Sequence, residues 1–149
     1  MTSEELYSLT IRLLDQLEWA YAESEEDGVV LVATDYGPPI IIGTDEISDS
    51  DDILWPVLWL DVAVRVGVEA EGISAEVLGQ ANQDMLISKV ALETESGRLA
   101  VQHECVGWPG AAELRVTMEM IITHASELSG QLGDDVGGEA PATFSELVE

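Results

Sequence analysis

The chain has 149 residues, 46% of them hydrophobic, and its 30 acidic and five basic residues give a formal net charge of -25. This composition is typical of one globular domain. We expect a cytoplasmic protein without membrane insertion, because the sequence has no apolar run of ~18 residues and no signal-peptide pattern. The shortage of Lys and Arg argues against direct binding to nucleic acid, because those side chains neutralise phosphate.

The first expected element is an amphipathic helix. Thr2 and Glu5 have the spacing of a capping box, in which two side chains satisfy free backbone amides at a helix start. Apolar residues at steps of three and four then form one stripe, which predicts a helix over residues 6–20. Trp19 and Tyr21 are expected to end this helix before an acidic turn.

A hairpin is expected next. Residues 29–34 are rich in β-branched side chains, and so are residues 40–42, while the glycine and prolines of residues 36–39 are typical of a turn. The acidic stretch at residues 45–52 resembles a calcium loop, but it lacks the spacing of calcium ligands and the closing glutamate. It is therefore predicted to be a solvated loop.

The strongest strand pattern covers residues 58–68, where every second side chain is apolar. Such alternation predicts a strand with one buried face and one more polar face. Trp59, Asp61 and Arg65 would share the more polar face. A strand of this length is expected to be the centre of an antiparallel sheet.

The second half of the chain predicts one helix, a hairpin and another helix. Ser74 is a good N-cap for a short helix that reaches about residue 84. Residues 86–94 and 98–106 read as two strands joined by a glycine-containing turn, and an apolar stripe over residues 111–128 predicts the last helix.

The composition changes near the carboxyl end. Residues 130–149 are rich in Gly, Asp, Pro and Ala, with one apolar cluster at residues 144–148. We therefore predict one domain over residues 1–129, followed by a mobile acidic tail whose apolar cluster is either a frayed end or a docking segment.

No pattern for catalysis or metal binding is found. The single cysteine, Cys105, forms no disulfide within the chain and reads as a small buried apolar residue. His103 shares its predicted strand face with Cys105, but this is an ordinary result of strand alternation, and His124 lies on a predicted helix. We predict no catalytic residues, no metal site and no cofactor.

Aromatic residues near the long strand are the best candidates for a binding surface. Trp55, Trp59 and Trp108 are each explained by packing at the edge of a core, or they contribute to a partner surface. We predict a partner-binding site of Trp55, Trp59, Asp61 and Arg65. The acidity of the chain either serves solubility or favours a basic or amphipathic polypeptide partner.

The element order α-β-β-β-α-β-β-α in a small acidic protein resembles the YbjN and type III secretion class I chaperone-like family. Residues 6–20 resemble its first helix, residues 61–68 its long third strand, and residues 81–83 the end of its second helix. Residues 87–106 and 111–128 resemble the following hairpin and closing helix. The resemblance implies a non-enzymatic homodimer that binds an extended segment of another protein.

These observations predict an α+β fold with an antiparallel sheet and helices packed on it. The expected function is that of a peptide-binding chaperone or adaptor that forms a homodimer. Two alternatives stay open from the sequence. One is a structural or regulatory dimer without a client, and the other is a sensor of small molecules, which would need an enclosed pocket.

Overall fold

Within the part of the chain that the structure describes, six β-strands form one antiparallel sheet, and two long helices pack on one of its faces. The computed structural model describes residues 1–83, 85, 88–132 and 136–148. The strands are β1 (Tyr21–Glu23), β2 (Val29–Val32), β3 (Ile40–Ser48), β4 (Leu54–Arg65), β5 (Lys89–Glu93) and β6 (Arg98–Val106). The strand order is β1-β2-β3-β4-β6-β5, so that β4 has a neighbour on both flanks.

In the described ranges, four α-helices accompany the sheet. They are α1 (Ser3–Gln16), α2 (Ala75–Gln83), α3 (Ala111–Gln131) and α4 (Phe144–Val148), and a short 3-10 turn covers Ala70–Gly72. Thr2 caps α1 as expected, because its Oγ1 accepts the Glu5 amide at 3.2 Å. In the described part of the chain, no helix has both the length and the apolar character needed to cross a membrane.

The core lies between the sheet and the helices α1 and α3. On β4 the alternating residues Leu58, Leu60, Val62 and Val64 are at most 1% exposed, which confirms the predicted alternation over residues 58–64. The strand ends at Arg65 rather than at residue 68, because a bulge interrupts its pairing with β6. Both helices and the neighbouring strands contribute the remaining core side chains, among them Leu6, Leu14, Val30, Ile42, Leu99, Val101, Leu114, Met118 and Ile121. The predicted α+β architecture is therefore confirmed.

The first helix is shorter than its apolar pattern predicts. It ends at Gln16 rather than at residue 20, and Glu18 adopts a left-handed φ of 57° that stops the helix. Tyr21–Glu23 then form β1, which pairs with β2. The apolar residues after Gln16 satisfied the helical pattern, but pairing with another strand determines their conformation.

The predicted loop at residues 45–52 is mostly strand. Ile40–Ser48 pairs in register with β4, from Ile40 opposite Val62 to Ser48 opposite Leu54. Only residues 49–53 turn the chain. The prediction was wrong because residues 45–48 are exposed and mainly polar, so that no apolar alternation marks them as a strand.

Asn82 connects α2 to the second hairpin. Its Oδ1 accepts the Val90 amide at 2.7 Å, and its Nδ2 donates to the carbonyls of Leu78 and Val90 at 3.0 and 3.2 Å. The strand predicted from residue 86 is described from Lys89 onward as β5, since residues 84, 86 and 87 lie outside the described residues.

The segment after residue 129 has a defined course where it is described. Helix α3 continues to Gln131, Val136 is buried in the core, and Glu139 exchanges two backbone hydrogen bonds with Val66 at 2.8 and 3.0 Å. The division into residues 1–129 and 130–149 stays a prediction. The described part of the predicted mobile tail, however, packs on the domain.

Candidate functional site

The second face of the sheet, opposite α1 and α3, is named the open face. It is built from the residues that alternate with the core positions, because side chains paired across antiparallel strands share a face. Its central members, read from the strand register, are Leu31, Ile41, Gly43, Ile47, Trp55, Val57, Trp59, Asp61, Ala63, Ala100, Gln102, Glu104 and Val106.

Trp59 lies at the middle of the open face. Its partners across the sheet are Gly43 on β3 and Glu104 on β6. The glycine leaves room for the indole, since a Cβ at this position would overlap the benzene ring of Trp59. Trp59 is half-buried and thus presents part of its surface to solvent.

Asp61 is the buried charge of this face, only 6% exposed. Its Oδ1 forms an ion pair with the Arg98 guanidinium, and its Oδ2 accepts a hydrogen bond from Gln102 Nε2 at 3.0 Å. A buried carboxylate needs such partners, because an unpaired charge away from water is strongly unfavourable. Arg98 and Gln102 therefore fix Asp61 in the floor of the face.

A groove of about 410 Å³ runs beside Trp59. Its floor contains Asp61 and Gln102, and Arg98 is its basic residue. Three glutamates, all exposed, complete its polar lining: Glu26, Glu93 and Glu104. Carboxylates thus outnumber the guanidinium four to one in this lining, which makes the groove electronegative.

The tip of the β3–β4 hairpin exposes an apolar cluster, named the tip patch. Its members Ile47, Trp55 and Val106 are 49%, 46% and 58% exposed. Ile47 lies directly opposite Trp55, and Val106 lies opposite Val57, the next residue of β4 on the same face. The tip patch therefore continues the open face from Trp59 to the end of the hairpin.

Asp49 fixes the turn below the tip patch. Its Oδ2 accepts the Trp55 indole N–H at 2.8 Å, and its Oδ1 accepts the amides of Asp51 and Ile53 at 2.8 and 3.0 Å. The indole bond first, and then the two amides, hold the pKa of the Asp49 carboxyl below its usual range. Trp55 is thereby oriented although it is exposed.

Arg65 does not join the other predicted site residues. A β-bulge between Ala63 and Arg65 shifts the register, which places Arg65 opposite the core residue Leu99. Its guanidinium donates to the carbonyls of Leu132 and Gly137 at 3.0 and 3.2 Å. The structure thus brings Trp55, Trp59 and Asp61 onto one face, whereas Arg65 fastens the segment that follows α3.

The carboxyl-terminal segment covers the other end of the open face. The Phe144 amide donates to the Gly37 carbonyl at 2.9 Å, in the turn between β2 and β3. Leu147 lines shallow grooves together with Leu31 and Ile41 of the open face. No described residue of α4 is buried, and Leu147 and Val148 are 50% and 43% exposed.

The histidines and the cysteine lie away from the groove. His103 and Cys105 are on the helix side of the sheet, and burial raises the pKa of the Cys105 thiol. His124 Nδ1 hydrogen-bonds with Ser88 Oγ at 3.0 Å. Trp108 packs half-buried against the core. Among the described residues, no three His, Cys, Asp or Glu side chains are grouped so as to hold a metal ion.

Among the contributors to this face that the sequence did not predict are Gly43, Arg98 and Gln102. Gly43 could have been noticed as a glycine inside a strand, a position that often marks close approach of another group. Arg98 and Gln102 carry no local signal, because their relation to Asp61 depends on the pairing of β4 with β6.

Comparison with solved structures confirms the fold. The chain superimposes on YbjN from E. coli, described as a candidate transcription regulator, with a TM-score of 0.61 and 12% identity. The match covers 82% of this chain and 86% of the YbjN chain. No protein-family model and no curated protein matches the sequence. At this identity the likeness establishes a YbjN-like fold, as the sequence resemblance predicted.

Proposed function

We propose that this protein is a non-enzymatic binding module, an adaptor or chaperone that holds a segment of another polypeptide on its open face. The single observation that carries the proposal is that the described residues cover one end of this face and leave the other end exposed. The carboxyl-terminal segment lies over Leu31 and Ile41, whereas the tip patch around Trp55 stays exposed.

An exposed apolar cluster beside a groove is typical of an interaction surface. Aromatic residues contribute strongly to binding energy, and Trp55 is presented in a fixed orientation by its bond to Asp49. Because the indole is oriented before binding, little side-chain entropy is lost when a partner contacts it. The uncovered half of the face is therefore suited to an extended or helical segment.

The likeness to YbjN is compatible with this proposal. YbjN is described as a candidate transcription regulator, and a role in transcription would here depend on contact with proteins. A net charge of -25 repels the phosphates of DNA, so that the open face is not suited to nucleic acid.

The proposal is tested by capture of partners with paired variants. Immobilised wild-type protein is compared with Trp55→Ser/Val106→Ser, which removes two exposed apolar residues of the tip patch. The control is Val77→Ser/Val116→Ser, which removes two apolar residues that are 42% and 52% exposed on helices. We expect specific polypeptides to be lost with the first variant only, and equal capture by both variants would contradict the proposal.

A second copy of the chain is the rival occupant of the tip patch, and the predicted homodimer remains a prediction. Light scattering at 0.15 M salt gives the mass of the wild type and of Trp55→Ser/Val106→Ser. A dimer that this variant converts into a monomer would assign the tip patch to self-association instead of to a client. A mass unchanged by the variant leaves the patch to the partner.

A further inference from the structure

We infer that the groove beside Trp59 receives a Lys or Arg side chain of the partner, so that the bound segment is basic and apolar. This inference rests on the proposed function and names the chemistry of the ligand. It follows from the charges that line the groove, from the aromatic surface next to them and from the distance to the tip patch.

The first argument is the charge left after the internal pairs are formed. Arg98 is the basic residue of the lining, and Asp61 already engages it. Glu104 has Lys89 at 3.5 Å, but both side chains are 57% exposed, and such pairs are weak. Glu26 and Glu93 have no ion pair among the described residues. A cation that enters the groove would therefore gain more binding free energy than a neutral group of the same size.

The second argument is the aromatic wall. Trp59 lines the groove together with these glutamates, and an indole attracts a cation placed over its ring. A guanidinium can stack on the ring while it donates hydrogen bonds to carboxylates, since its donors lie in one plane. The groove therefore offers a Lys or Arg side chain two favourable contacts, one with the indole ring and one with the carboxylates.

The third argument disfavours a second copy as the source of this cation. The chain has five basic residues, and Arg65 and Arg98 already bind within the fold. Lys89 and Arg115 form only weak, exposed pairs with Glu104 and Glu119, and Arg12 is exposed on α1, so a second copy has at most these three cations to offer. A second copy would bring 30 acidic residues against the groove, so that a different, basic chain fits it better.

The fourth argument gives the spacing within the partner. Trp59 and Trp55 are four residues apart on the same face of β4, which is about 13 Å along a strand. An extended partner that inserts a basic side chain beside Trp59 would place an apolar residue on the tip patch about four positions away. This predicts a segment in which basic and apolar residues alternate at that interval.

The test uses two synthetic fluorescein-labelled peptides of twelve residues. The first peptide has two Arg residues, each four positions from a Leu residue, and its other positions are Ser and Thr. In the second peptide, citrulline replaces both Arg residues. Affinity is measured by anisotropy at 0.15 and 0.5 M salt. We expect the Arg peptide to bind at least tenfold more tightly at 0.15 M, and equal affinities would overturn the inference.

Matched variants separate the groove from the general acidity of the chain. Glu26→Gln/Glu93→Gln is expected to weaken the Arg peptide about tenfold and to leave the citrulline peptide unchanged. Glu113→Gln/Glu127→Gln removes the same charge from exposed positions on α3 and is expected to have no effect beyond twofold. An equal loss with both double variants would overturn the inference, because affinity would then follow net charge alone.

The two proposals fail differently in this experiment. If Trp55→Ser weakens both peptides but Arg and citrulline bind alike, the proposed function stands and the inference about the groove is wrong. If neither peptide binds at 1 mM, the inference is wrong, and the capture experiment with the tip-patch variants decides the proposed function separately.

Discussion

Gly43 and Trp59 are partners across the β3–β4 ladder, and the indole of Trp59 occupies the space that a side chain at Gly43 would need. An aromatic residue placed over a glycine in a neighbouring strand covers the exposed backbone and helps to fix the register. This pair therefore determines the shape of the groove wall as well as the pairing of the two strands.

Gly43→Ala is expected to displace this indole. The new methyl group would overlap the ring, so we expect a loss of about 1–3 kcal/mol in the free energy of unfolding and a changed near-ultraviolet circular dichroism spectrum. The control is Gly79→Ala in α2, where a Cβ meets no neighbouring atom within 4 Å and helix propensity predicts a gain of up to about 1 kcal/mol. Equal stability of the two variants would contradict the packing described.

Arg98→Met is expected to be strongly destabilising. The substitution leaves the buried Asp61 carboxylate without its ionic partner, so we expect the free energy of unfolding to fall by on the order of 3 kcal/mol. Urea denaturation measures this loss. Arg98→Met/Asp61→Leu removes both charges and should recover most of the loss. If the double variant is as unstable as the sum of the single variants, the two residues are not coupled.

The tip of the hairpin is expected to respond to acid. The pKa of Asp49 is lowered from its usual 3.8 in the folded protein, so the stabilisation that it provides is present above about pH 4 and is lost as the pH falls through the lowered value. The indole N–H resonance of Trp55 should shift with a midpoint below pH 3.8. Asp49→Asn should abolish this titration, and a midpoint at or above 3.8 would contradict the hydrogen bonds described.

Alkaline pH is expected to destabilise the fold through its tyrosines. Burial, and then the 2.8 Å hydrogen bond to Glu23, raise the pKa of Tyr7. The hydrogen bond to Asp15 raises the pKa of Tyr21, and burial raises the pKa of Tyr36. The unfolded chain loses these phenol protons first, so stability should fall as the pH rises above about 10. Absorbance at 295 nm measures the ionisation of the tyrosines. In Tyr7→Phe, the part of the titration curve at the highest pH should be missing.

The attachment of the carboxyl-terminal segment is expected to depend on Arg65. Arg65→Met removes the donors to Leu132 and Gly137, and the amides of Val66 and Glu139 should then exchange hydrogen about tenfold faster. Arg12→Met, which changes the charge equally on the exposed side of α1, is the control. Unchanged exchange in Arg65→Met would show that the backbone bridge and the burial of Val136 hold the segment without Arg65.

The sequence allowed prediction of the parts of the fold that depend on local alternation. The apolar residues of β4 identified the central strand because each second side chain is buried, and the same pattern placed Trp59 and Asp61 on the opposite face. Arg65 was assigned to that face wrongly, since a bulge adds one residue and no feature of the sequence marks it. The Asp61–Arg98 pair was not predictable either, because it joins residues that only the strand order brings together.

The edges of the sheet have a consequence for self-assembly. The two outermost strands, β1 and β5, have only three and five residues, so that an added strand could form few main-chain bonds with them. Glu23 at the end of β1 and the acidic residues 25–27 would repel an identical strand of a neighbouring molecule. The protein should therefore resist polymerising into fibrils, even in concentrated solution.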